Sequence, residues 1–114
     1  MKIAVTYDNG QVWQHFGKTE FFKIYDVEEG QVTSSEVLGT NGAGHGALAD
    51  FLASQGVDTV ICGGVGAPMI DRLAAYGMKA YPGVQGSADQ AVSDLLAGKL
   101  EVNDEAVHEG CHHH

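Results

Sequence analysis

Three apolar, alternating segments open the chain, separated by turns too short to hold a helix, and this spacing constrains the fold more than any other feature. "KIAVTY", at about residues 2–7, has the period-2 pattern of a strand and runs into Asp8-Asn9-Gly10, a turn signal. "FFKIYDV", at about 21–27, reads as a second strand, "EEGQ" as a tight turn, and "VTSSEVL" as a third, more polar strand. Parallel neighbours need a crossover of about a dozen residues or more, so these three strands form an antiparallel meander. An all-parallel, doubly wound sheet is thereby excluded.

After "GTNGAGHG" the period changes. Leu48, Phe51 and Leu52 recur at helical spacing within "ALADFLASQG", with Gly56 placed to end the helix. "VDTVICGG" is a short apolar run of the kind buried on both faces of a sheet. A second helix at about 68–76 carries Met69, Ile70, Leu73 and Ala74 on one face; "MKAYPG" is a fifth strand, and a last helix begins at Ser87. The order β-β-β-α-β-α-β-α, with right-handed crossovers, places the fourth and fifth strands beside the first and parallel to it. The expected fold is therefore α/β: a mixed five-stranded sheet of order 3-2-1-4-5, strand 2 antiparallel, with helices on both faces. Residues 1–102 make the domain, and 103–114 are expected to be a frayed polar tail containing His and Cys.

The 114 residues suit one ordinary domain, and no segment approaches the roughly 18 uninterrupted apolar residues of a membrane span. The first residues read directly as a strand rather than a secretory signal, so the expectation is a cytoplasmic monomer or weak dimer with no membrane partner. Six Lys and Arg stand against fifteen Asp and Glu, a formal charge of -9 that repels nucleic acid. An anionic ligand must then be held by a local site. Cys62, ending a core strand, and Cys111, in the polar tail, are read as thiols rather than a bridge.

In such a sheet the C-terminal ends of strands 1 and 4 open into one crevice, where ligands of open α/β sheets bind. "CGGVGAP" leaves strand 4 there, and its turn, with Gly63, Gly64 and Gly66 before Pro68 in a helix's first turn, can form a nest of outward N–H groups. The same glycines equally serve only to turn the chain. No Walker lysine follows and the spacing is not G-x-G-x-x-G, so nucleotide binding is not supported. Cys62 reads either as a soft ligand or as a small buried apolar residue. His15, in a turn before Phe16 and Gly17, is a ligand or a surface cap, and the loop 8–18 lets it reach toward Cys62. His45 sits in the longest loop, where functional side chains are often carried. In the tail, His108, Cys111, His112, His113 and His114 offer donors that suit Ni, Zn or Cu.

"HFGKTEFFKIYDVEEGQV", the Asn- and Gly-rich loop, "GVDTVICGGVGAPMIDRLAAYGMKAY" and "AVSDLLAGKL" together resemble the dinitrogenase iron-molybdenum cofactor biosynthesis domain, of the type found in NifX and at the C-terminus of NifB. The resemblance runs to about residue 102, and its specific parts are His15-Phe16-Gly17 and the Cys62-Gly63-Gly64-Val65-Gly66 turn. It implies a ribonuclease H-like, three-layer α/β/α fold. It also implies a non-enzymatic role in binding, carrying or assembling iron-sulfur or iron-molybdenum-type clusters, with a cluster donor or acceptor protein as partner. His15, Phe16, Gly17, His45, Cys62, Gly63, Gly64 and Gly66 are then the candidate cofactor-binding residues, and His15, His45 and Cys62 with the tail donors the candidate metal ligands. A metal-sulfide cluster is bulky and anionic, with soft metal ions at its surface, so a carrier needs few strong ligands, nearby N–H donors and an open mouth. Two cysteines cannot supply four thiolates, so a cluster would be held loosely, shared between chains or brought with its own ligands. The rivals are a general transition-metal chaperone using the tail, and a ribonuclease H-like hydrolase holding Mg on carboxylates such as Asp8. Against the hydrolase, strand 4 ends in a soft thiol and the net charge disfavours a polynucleotide.

Overall fold

The computed structural model describes residues 1–40, 45–100, 102 and 107–108. Its centre is β1 (Lys2–Asp8), buried on both faces from Ile3 to Thr6. Antiparallel β3 (Phe21–Glu28) pairs with one edge of β1, from Lys2 opposite Asp26 to Tyr7 opposite Phe21. Parallel β5 (Thr59–Ile61) takes the other edge. With β4 (Gln31–Gly39) outside β3 and β7 (Lys79–Tyr81) outside β5, the sheet runs β4-β3-β1-β5-β7.

Two tight turns set the antiparallel half. Glu29 and Gly30, at φ 53° and 77°, join β3 to β4 with both central residues left-handed, as a type I′ hairpin turn requires. Asn9 and Gly10, at φ 49° and 91°, do the same at the end of β1, and send the chain back as β2 (Gln11–Val12). That short return strand was not expected from the sequence, and it aims the following loop across the sheet's end.

Helices cover both faces because β1 alternates between two cores. Ala4, with Phe22, Ile24 and Val60, packs against Leu48 and Leu52 of α1 (His45–Ser54) and Met69 and Leu73 of α2 (Ala67–Ala75). Ile3 and Val5, with Tyr25 and Ile61, pack against Ala88, Ala91 and Val92 of α3 (Ala88–Leu96). Ser87 caps α3, its Oγ accepting from Gln90 N at 3.2 Å. α2 has Pro68 in its first turn and no capping side chain at Gly66. Among the described residues no helix is long and apolar enough to cross a membrane.

Between β5 and α2 lies β6 (Val65–Gly66), which pairs in parallel with β8 (Val107–His108). Within the segment expected to fray, Val107 and His108 pair their backbone with the strand edge at the α2 entrance. Cys111 and His112, His113 and His114 lie outside the described residues.

Candidate functional site

From β2 the chain crosses the end of β1 and fastens onto the turn that follows β5. Trp13 N donates to Thr6 O at 2.8 Å, and Thr6 Oγ1 returns a bond to Trp13 O at 2.8 Å. Gly64 N then donates to Gln14 O at 2.7 Å and Phe16 N to Gly64 O at 3.0 Å, which makes His15 and Gly64 a parallel bridge pair. Gln14 Nε2 donates to Val12 O at 2.9 Å and Val84 O at 3.0 Å, tying the strap to the turn after β7.

Alternation along this strap sorts its side chains. Phe16 is buried, edge-on to Phe22 with centroids 5.8 Å apart, and anchors the strap in the core; His15 beside it is exposed. Gly17 lies in a single 3-10 turn (Phe16–Lys18), closed by Thr19 Oγ1 donating to Phe16 O at 2.7 Å. The His-Phe-Gly motif is thus an outward imidazole, an inward ring and a turn.

The glycine turn is occupied by protein. A Cβ on Gly63 would stand 2.6 Å from Gln14 Cα, so only glycine allows the strap to approach. Gly63 O accepts from Gly83 N at 2.9 Å, and Cys62 O from Val84 N at 3.0 Å. The expected nest of outward N–H groups is corrected at Gly64, whose N–H is committed to Gln14.

Cys62 is corrected as well. It is fully buried in the cluster with Phe16, Val60 and Met69, and among the described residues its Sγ has Tyr81 O, at 3.9 Å, as hydrogen-bond partner. The strap brings His15 to the backbone of Gly64, not to the thiol. Burial pushes the Cys62 thiol up to about 12, because the apolar surroundings disfavour thiolate, so it is a core residue at neutral pH. In the folded protein Cys62 should resist Ellman's reagent until denaturant is added, read by mass spectrometry of its peptide. The unfolded chain loses this proton first, near the ordinary thiol value of about 8.5. Stability should therefore fall as pH rises from about 8.5 toward about 12, and this contribution is fully present only below about 8.5.

His45 opens α1, with its side chain outside the described residues, as is that of His108. Among the described residues no three His, Cys, Asp or Glu side chains are grouped to hold a metal ion. Trp13 was passed over in the sequence, although an indole two residues from an imidazole was the available signal. Its ring meets His15 edge-on, with centroids 5.9 Å apart and planes at 74°. Its Nε1 is buried and has no hydrogen-bond partner among the described residues.

A groove of about 620 Å³ opens elsewhere, between α3 and the β3–β4 hairpin. Three of its polar groups pair with one another: Lys23 Nζ and Tyr25 Oη both donate to Asp89 Oδ1, at 2.8 and 2.6 Å. The Lys23 hydrogen bond, then that of Tyr25, holds the Asp89 carboxyl below its ordinary value; desolvation and the bond to Asp89 raise the Tyr25 phenol. Those pairings brace α3 against the sheet.

At the strand ends, then, this is an α/β domain that, among the described residues, displays the exposed imidazole of His15 over strapped glycine backbone. It belongs to the dinitrogenase iron-molybdenum cofactor family, whose model matches residues 1–98. An uncharacterized protein of Methanocaldococcus jannaschii, MJ0580, is 31% identical over 107 residues, covering 89% of this chain and 90% of that protein. The crystal structure of PH0822 superposes with a TM-score of 0.87 at 26% identity, over 93% of this chain and 97% of that one. The apo form of the orange protein from Desulfovibrio gigas gives 0.77 at 26% identity, over 90% and 92%.

Proposed function

We propose that this domain binds and carries iron-sulfur or iron-molybdenum-type clusters, or assists their assembly, without catalysing a reaction of its own, and that His15 is the ligand it presents. The carrying observation is the pairing at the strap: an exposed imidazole pinned to Gly64, edge-on to a tryptophan whose buried Nε1–H lacks an acceptor among the described residues. A buried donor left unpaired costs about 1–3 kcal/mol; a cluster sulfide would remove this penalty if the indole edge turned outward on binding, since Nε1 is enclosed as it stands. Family membership supports the same class of cargo. On this reading the ribonuclease H-like domain spans 1–102, Gly63 and Gly64 hold the strap, Phe16 anchors it, and a donor or acceptor protein exchanges the cluster. The cluster brings most of its own ligands, since Cys62 is enclosed. Asp8 gives the hydrolase reading no support: it is exposed at the end of β1, and no group of three metal-holding side chains forms around it among the described residues.

Anaerobic titration of the apoprotein with a preassembled molybdenum-iron-sulfur cluster, a [4Fe–4S] cluster and tetrathiomolybdate should give charge-transfer absorption with at least one of them. His15→Ala should weaken that binding about tenfold or more, with stability unchanged to within about 0.5 kcal/mol. No binding of any of the three, or undiminished binding by His15→Ala, would overturn the reading.

A further inference from the structure

Trp13 and His15 stand two residues apart on an extended strap, so their side chains leave it on the same side, while Phe16 turns into the core. The ring contact, with centroids 5.9 Å apart, sets the indole beside the exposed imidazole. The backbone of Trp13 is fixed: its N–H donates to Thr6 O and its carbonyl accepts from Thr6 Oγ1, both at 2.8 Å, and Thr6 is fully buried. Movement of the indole is therefore confined to its side-chain torsions. The residue is half-buried, so its ring already borders solvent.

The enclosed Nε1–H, without an acceptor among the described residues, sets two effects against each other. An indole carries about 150–250 Å² of surface, and keeping most of it from water outweighs one unpaired donor by about twofold. In the free protein the ring therefore stays down. Turning it into water would pair the N–H but expose the ring. A bare metal cation offers the N–H no acceptor and the ring no cover. The balance reverses for a ligand that accepts from Nε1 and covers the ring at once. A sulfide-bearing metal surface does both, being an anionic acceptor with a broad, polarisable face.

We propose that Trp13 is the residue that selects sulfide-bearing cargo at the His15 site: its indole swings out, donates Nε1–H to a sulfide and lies against the cargo, whereas a bare divalent ion takes His15 and leaves the indole down. The inference rests on the reading of His15 as a cluster ligand and adds the chemistry that sets the site's preference. It also separates a cluster carrier from a general transition-metal chaperone, in which Trp13 has no part.

Trp13 is the single tryptophan of the chain, so growth on β-(3-benzothienyl)alanine replaces it alone, with a ring of nearly the same shape in which sulfur stands for N–H. The test compares the full-length protein, this analogue form, Trp13→Phe and His15→Ala. Affinity for tetrathiomolybdate, a [4Fe–4S] cluster and a molybdenum-iron-sulfur cluster is taken from charge-transfer titration. Affinity for Zn²⁺ is read at the His15 imidazole resonances, so that the terminal histidines do not enter the measurement. The analogue form should unfold at an unchanged or higher urea midpoint, because an unpaired donor is gone. It should bind every sulfide cargo that the unmodified protein binds about tenfold more weakly, the loss of one hydrogen bond to a charged acceptor, with Zn²⁺ affinity at His15 unchanged. Trp13→Phe should show the same selective loss. Undiminished cargo binding by the analogue form, or an equal weakening of Zn²⁺, would overturn the inference. If His15→Ala weakens cargo binding and the analogue does not, the carrier reading stands while this inference fails; if no sulfide cargo binds the unmodified protein, both fail.

Discussion

Phe16→Ala should lower the free energy of unfolding by about 3–5 kcal/mol, the loss expected when a fully enclosed ring is removed and its space cannot collapse. Against a typical domain stability of about 5–15 kcal/mol, this is a large fraction of the total. The ring sits edge-on to Phe22, which in turn stacks on Phe51 of α1 at 6.2 Å, so the strap is fastened through an aromatic row to the α1 face of the sheet. Urea unfolding should show a lower midpoint at unchanged slope, since the surface exposed on unfolding barely alters. His15→Ala, one residue away on the outward face, should leave the midpoint where it is. The pair of results separates anchor from ligand. A Phe16→Ala protein less than about 1 kcal/mol weaker would mean that the strap is held by its backbone bonds alone.

The antiparallel half of the fold was legible because turn length and composition leave few options: Asn9-Gly10 and Glu29-Gly30 each supply the two left-handed residues of a type I′ turn. The helices were legible by period, and their ends by glycine and by Ser87, with shifts of one or two residues. Elements of two residues were not, since β2, β6 and β8 are too short to show any alternation and exist only because a partner edge is there to bond them. The same reason hid the pairing of Val107 and His108 with Val65 and Gly66.

At the site, the motif residues His15, Phe16, Gly63 and Gly64 do converge, but the chemistry assigned to some of them was misplaced. A strand-end cysteine reads the same whether it faces ligand or core. What decides the matter is the neighbouring strap, which seats Phe16 and leaves Cys62 enclosed beneath it. Likewise, a run of glycines suggests free N–H groups, whereas here Gln14 takes the one at Gly64. Trp13 gave only the weak signal of its spacing to His15, because an indole matters once its Nε1 is known to be buried without an acceptor among the described residues.

Gly63→Ala should destabilise the protein by about 2–3 kcal/mol and impair cluster binding by more than the stability loss alone explains. The added Cβ would lie 2.6 Å from Gln14 Cα and 2.8 Å from Gln14 Cδ and Oε1. A side chain could rotate away from such a contact, but the Cα is backbone, fixed between the Trp13 N and Phe16 N hydrogen bonds. Relief therefore requires the strap to lift, and lifting it breaks the Gly64–Gln14 and Phe16–Gly64 bonds that place His15. Gly63 has no left-handed φ, so the effect is one of space rather than of backbone preference. Gly98→Ala is the matching control, with φ 74° and nothing within 4 Å of its Cβ: it should cost about 1–2 kcal/mol of left-handed strain and leave binding unchanged. Adding Gln14→Gly to Gly63→Ala should not restore the loss, because it removes the Cδ and Oε1 contacts but leaves the Cα and also breaks the two Gln14 Nε2 bonds that tie the strap. Urea midpoints and exchange of the Phe16 amide measure these steps. A Gly63→Ala protein with a native midpoint and a protected Phe16 amide would show that the strap can shift freely, and His15 would then not be held in place by this turn.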